Sequence, residues 1–312
     1  MWSDLLEAGI VVSVLAAAIR IATPILFAAL GELVAERAGI YNMGLEGLML
    51  VGAFIGWLAT YYSGSAAVGL AAAVLAGLIL SLIFAFMVIT LQIEQIVTGL
   101  ALNLLASGLT TFWLRSAFSD MSKVPGISIL QDAPVPLLSD IPYVGAVVFD
   151  QRIVTYVALL MMPAVSLFLY GSRLGLEIRC IGENPKALDI KGHSVPLRQY
   201  AAVLFGGAMA GLGGACLTVA ATAHFVPDMV NGRGWLALVI VIAAGWRPAG
   251  VLAAALVFSF LDALQLQIQG VGIQIPYQLL LAMPYVAAIL ALMLRRKAGR
   301  APAMLGVSYR RE

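Results

Sequence analysis

Apolar residues in this chain neither alternate nor form a narrow stripe; they come in long runs separated by short polar breaks. The runs fall at roughly 9–31, 43–62, 66–90, 95–114, 151–171, 198–221, 234–245, 250–268 and 276–294. Most approach the roughly 20 residues a helix needs to cross a hydrocarbon core of about 30 Å. The run at 234–245 is too short for that and reads as a half-helix that enters and turns. The pattern predicts an all-α fold: a polytopic bundle of eight to ten transmembrane helices, one domain over 1–312, with a polar loop at 172–198 and a polar tail at 295–312.

Composition agrees with lipid as the solvent. Of 312 residues, 62% are hydrophobic and 11% charged, too few charges for a water-facing surface. The net charge of +2 gives no basic field for nucleic acid, so the distribution of charge matters more than its sum. If the C-terminus is cytoplasmic, the inner segments hold thirteen of the eighteen Lys and Arg: Arg37, Arg247, five between 173 and 198, and six from 295 onward. The outer segments then hold Arg115, Lys123, Arg152 and Arg233. The positive-inside rule prefers this orientation, and nine crossings leave the N-terminus outside. Asp4 and Glu7 precede the first run where a cleaved signal carries Lys or Arg, so that span is expected to stay in the mature protein. Arg20 lies within the span, either snorkelling to the surface or meeting a partner. Cys180 and Cys216 read as unpaired thiols.

The loop 172–198 contains IRCIGENPKALDIKGHSV, which predicts a short helix outside the membrane. Asn184 suits the N-cap, Pro185 the first turn and Gly192 the position past the end. Ala187, Leu188 and Ile190 give it apolar surface among Glu183, Lys186, Asp189 and Lys191, as a docking element needs.

Two apolar runs are interrupted. Gly39, Gly44 and Gly47 fall beside Asn42 and Glu46 in the first half; Gly232, Gly234, Gly245, Pro248 and Gly250 fall in the second. Paired interruptions either serve close packing or mark a pathway between two halves. Asn103 with Thr98 and Ser107 in one span, and Asp262 with Gln265 in another, are candidates for lining that pathway or for hydrogen bonds between helices. The small residues of GGAMAGLGGA at 206–215 form a face for tight helix contact, inside the subunit or against a second one.

The loop resembles the coupling segment of type II ABC importer permeases. AERAGIYNMGLEG at 35–47, QIVTGLALNLLASGLT at 95–110 and NGRGWLALVIVIAAGWRPAG at 231–250 are similar, in order and spacing, to permeases of the branched-chain amino acid and simple sugar group, most of all to its nucleoside branch. The resemblance covers about residues 10–295. It implies an importer subunit of the bacterial cytoplasmic membrane that binds no cofactor itself. Its implied partners are a cytoplasmic ATPase using ATP and Mg, a related second permease, an extracytoplasmic substrate-binding protein and membrane lipid. Residues 183–192 would then dock on the ATPase, and Asn42, Glu46, Asn103 and Asp262 would line the path.

The four lysines, Lys123, Lys186, Lys191 and Lys297, none of them preceded by glycine, leave no phosphate-binding loop, so any ATP is bound by another chain. Two histidines and no G-x-S-x-G turn argue against an intramembrane hydrolase. An ion-coupled secondary transporter, using Glu46, Glu94 and Asp262 as buried acids, is the stronger rival, although it has no need of a capped docking helix.

Overall fold

The computed structural model describes residues 8–118, 124–270, 277–294 and 301–310. The helices are α1 (Ala8–Arg37), α2 (Leu45–Ser63), α3 (Ala66–Ala85, continued by a π-helical turn Phe86–Thr90), α4 (Gln95–Ala117), α5 (Ile153–Gly171), α6 (Arg173–Glu183), α7 (Pro185–Ile190), α8 (Val195–Leu217, continued by a π-helical turn Thr218–Thr222), α9 (Arg233–Ala243), α10 (Pro248–Gly270) and α11 (Tyr277–Leu294). Among the described residues there is no strand, only an isolated bridge between Asp132 and Arg152.

Seven of these helices, α1 to α5, α8 and α10, are long and apolar enough to cross a membrane. That is slightly fewer than the eight to ten expected. The run at 234–245 folds as α9, whose 11 residues reach only about 16 Å. The last run forms α11, which follows residues outside the described set. The basic cluster at Arg295, Arg296, Lys297 and Arg300, and Lys123 of the opposite side, also lie outside it.

The small-residue helix α8 is the centre of the bundle, packed against α1, α2 and α3. Its glycine face is used within the subunit. A methyl group on Gly52 would overlap the carbonyl of Gly211, and one on Gly77 that of Gly207. Helix axes approach this closely only where both partners are small, and dispersion contacts then replace the missing hydrophobic drive in lipid. At the end away from α7, Phe54, Trp57, Phe225, Phe118 and Tyr61 form one aromatic cluster in which Trp57 stacks on Tyr61, and Trp57 Nε1 donates to Pro125 O at 3.2 Å.

Helix α1 runs six residues beyond the predicted end at 31 and carries Glu32 and Glu36, both with 0% exposure, into the interior. Arg37 is its last residue, and its guanidinium donates to Trp246 O at 2.6 Å. Arg20 is exposed and has a partner too, Gln151 Oε1 at 3.1 Å. Cys180 and Cys216 are free thiols.

Candidate functional site

After α1 the chain turns at Gly39, where φ is 83°, and residues 40–44 run without helix back along α4 before α2 begins. Backbone inside an apolar bundle is tolerated only when its polar groups find partners. Here side chains supply them. Gln95 Oε1 accepts from Tyr41 N at 2.7 Å, and Glu32 Oε1 accepts from Asn42 N at 2.9 Å. Asn42 Oδ1 accepts from Gly44 N at 3.0 Å. Asn103 accepts from Gly47 N at 2.7 Å and donates to Met43 O at 2.8 Å. Asn103 lies eight residues beyond Gln95 on α4, about 12 Å further into the bundle. The first break therefore climbs from one end of the bundle toward its middle.

The second break descends to meet it. Beyond the π-helical turn, residues 223–232 fold inward, with Ala223, Asp228 and Asn231 in the left-handed region. Phe225 is buried under Phe54, and Ser107 Oγ donates to Asp228 Oδ1 at 2.7 Å. Helix α9 starts there, beside α2. Glu46 Oε1 accepts from Gly232 N at 2.8 Å and Glu46 Oε2 from Gly234 N at 2.7 Å. Glu46 also sits in the first turn of α2. One carboxylate thus satisfies the positive end of α9 while standing at that of its own helix. Gly234 is required by contact, since a side chain there would meet the Glu46 backbone at 2.6 Å.

Asn42, Glu46 and Asn103 are therefore brought together at one junction, and the side-chain oxygens of each accept from backbone N–H groups. Asn42 is buried; Glu46 and Asn103 are half-buried. Asp262 stands apart on α10, in a cavity of about 230 Å³ shared with Asn231, Arg233, Gln265, Gln269 and Pro284. Arg233 and Asp262 both line that cavity. Polar and apolar groups line it in similar measure.

Glu94 is a correction. It is exposed and caps α4, accepting from Ile96 N at 3.1 Å and Val97 N at 2.6 Å. The interior acids that sequence reasoning missed are Glu32 and Glu36. Glu36 Oε2 accepts from Trp246 Nε1, while Glu32 Oε2 and Glu36 Oε1 have no hydrogen-bond partner among the described residues. Their spacing of four, in phase with the apolar face of α1, was the available signal.

The polar segment 172–198 folds as two helices rather than one short helix in a loop. Ser172 Oγ caps α6 through Gly175 N at 2.9 Å. Asn184 Oδ1 caps α7 through Ala187 N at 3.3 Å, with Pro185 at its start and Gly192 beyond its end at φ 80°. Leu188 does not face outward as a docking residue would; it is 4% exposed, packed with Ile181, Val195, Cys180 and Tyr309. Ile190 is 86% exposed, and Glu183 and Lys186 are exposed beside it. Glu177 of α6 is tied to Arg198 of α8 by a 2.5 Å bond.

Broken helices with satisfied backbone are characteristic of membrane transport proteins, and comparison with known proteins gives the class. Residues 14–296 match the family described as branched-chain amino acid transport system / permease component, and the chain belongs to that family. It is 34% identical over 299 residues to the guanosine ABC transporter permease protein NupQ of Bacillus subtilis, covering 92% of this chain and 93% of the relative. It is 32% identical over 297 residues to the nucleoside ABC transporter permease protein NupC of Lactococcus lactis, covering 92% and 93%. Identity to the putative glucose ABC transporter permease protein TsgC13 of Haloferax volcanii is 40% over 261 residues, covering 82% and 78%. No solved structure matches this chain. The protein is thus a multi-pass ABC permease subunit, a transport component and not an enzyme.

Proposed function

We propose that this permease subunit passes nucleosides or related simple sugars inward across the cytoplasmic membrane by alternating access, driven by ATP hydrolysed on another chain. Relatives named for guanosine, nucleosides and glucose set that substrate range. The observation that carries the reading is the cavity beside α9. Asp262, Gln265, Gln269, Asn231 and Arg233 offer acceptors and donors between apolar walls such as Leu236 and Pro284. A solute rich in hydroxyls and base edges needs that mixture. Asp262 is the group that meets solute, whereas Asn42, Glu46 and Asn103 shape the path by holding the two breaks.

The basic residues favour an inward α7 and an inward C-terminus. Helix α7 then docks on a cytoplasmic ATP-binding subunit through Ile190, Ala187 and Lys186, with Glu183 at the end of α6 beside it. Asn184, Pro185 and Gly192 shape that helix, and Leu188 anchors it to its own chain. ATP and Mg belong to that partner. A related second permease completes the pathway and an extracytoplasmic binding protein delivers the solute.

Uptake of radiolabelled guanosine, with glucose as comparison, in proteoliposomes containing all four kinds of subunit tests this. Asp262→Ala is expected to reduce ATP-dependent uptake about tenfold, the loss of one hydrogen bond to a charged group. Uptake by this chain alone down an ion gradient, or uptake unchanged in the variant, would refute the proposal.

A further inference from the structure

Residues 301–310 do not trail away from the bundle; they run back across the end that carries α7. Met304 N donates to Gly182 O at 2.8 Å, where α6 ends. Gly306 N donates to Gly39 O at 3.0 Å, at the turn that opens the first break. Gln92, in the turn between α3 and α4, donates from Nε2 to Tyr309 O at 3.3 Å and accepts at Oε1 from Arg310 Nε at 2.7 Å. Tyr309 Oη donates to Asp189 Oδ2 of α7 at 3.0 Å, and the Tyr309 ring packs on the cluster of Ile181, Leu188 and Val195. Two glycines let this strap pass. A side chain on Gly182 would overlap the Arg37 carbonyl and press on Pro302 at 3.1 Å, and one on Gly39 would meet Met304 O at 3.1 Å in a backbone conformation that side chains disfavour.

Helix α7 has six residues, too few to hold its own shape. Its orientation is set by the Asn184 cap, by Leu188 and by the strap. The strap also grips the two turns that lead to the junction: Gly39 opens the segment carrying Asn42 and Glu46, and the turn at Gln92 leads into α4, whose Gln95 and Asn103 hold that segment. A displacement of α7 relative to the bundle must therefore move the strap or break its bonds.

We infer that Tyr309 is a positioning residue for energy coupling: the C-terminal strap links α7 to the turns at Gly39 and Gln92 and so transmits motion of the docking helix to the broken helices. The inference rests on the docking role proposed for α7. A strap that only stabilised the fold would change expression and melting temperature but not the number of solute molecules moved per ATP. A transmitting strap changes that ratio.

The test uses the complete transporter in proteoliposomes, with guanosine uptake and ATP hydrolysis measured on the same preparation. Tyr309→Phe keeps the ring in the apolar cluster and removes only the hydroxyl. It is expected to lower guanosine moved per ATP roughly fivefold, the effect of one hydrogen bond on a two-state balance. Asp189→Asn keeps an acceptor for Tyr309 and is expected to stay near the native ratio. An unchanged ratio in Tyr309→Phe, or loss of the ATPase subunit from that variant on purification, would overturn the inference, the latter because the strap would then belong to the docking face. Ile190→Asp separates the two levels. If it leaves ATPase binding and uptake intact, the docking role of α7 itself fails; if it uncouples while Tyr309→Phe does not, only the strap's role fails.

Discussion

Replacing Glu46 is expected to open the junction between α2 and α9. Its two carboxylate oxygens accept from Gly232 N and Gly234 N at 2.8 and 2.7 Å. Hydrogen bonds to a charged group contribute about 1.5–3 kcal/mol each, and a buried donor left unpaired costs about 1–3 kcal/mol. Glu46 is half-buried, so water recovers part of this, and about 3 kcal/mol is a fair expectation for Glu46→Ala. Glu46→Gln retains one acceptor but turns an NH2 group toward the other N–H, and is expected to cost about 2 kcal/mol. Glu46→Asp keeps the charge on a side chain one methylene shorter, which cannot reach both donors. Thermal unfolding of the purified subunit in detergent reads the effect: a lowering of several degrees in the order Ala, then Gln, with Asp no better than Gln. The α9 N-terminus is also expected to become accessible, so Gly232→Cys in the Glu46→Ala background should label faster with a polar maleimide than Gly232→Cys alone. Native melting and native labelling in Glu46→Ala would refute the reasoning, because the two hydrogen bonds would then hold nothing.

The two apolar residues of α7 should behave oppositely. Leu188→Asp buries a charge among Ile181, Val195 and Tyr309 and is expected to lower stability by about 3 kcal/mol or more, seen as poor yield and low melting temperature. Ile190→Asp, at an exposed site, is expected to leave the melting temperature within a degree or two and to weaken ATPase co-purification. At the centre of the bundle, Gly52→Val forces α2 away from the Gly211 carbonyl of α8; loss of folded protein after detergent extraction is the expected result, with Gly108→Val, which meets no neighbouring atom, as the tolerated comparison.

The sequence by itself determined the class of fold and where most of its helices lie. Run length against bilayer thickness made the chain a membrane bundle and marked 234–245 as a half-helix. The capping chemistry of Asn184, Pro185 and Gly192 marked α7, because caps are local: one side chain satisfies a backbone group three residues away. Glycines spaced four apart at 207 and 211 announced a packing face for the same reason.

Tertiary structure alone decided what the polar residues do. Asn42, Glu46 and Asn103 read in the sequence as lining a path or as bonding between helices, and in the fold they accept from broken backbone, from donors up to 188 positions away in the chain, as for Glu46 and Gly234. Leu188 and Ile190 are equally apolar as letters, and only the packing of α6, α8 and the strap turns one inward and leaves the other exposed. Glu32 and Glu36 lie beyond the apolar run that ends at 31, and they are buried where Asn42 N and Trp246 Nε1 donate to them. Hydrophobicity and capping act over one helix turn and can be read from neighbours in sequence. The partner of a buried polar group is chosen by the fold, which brings together residues that no local pattern connects.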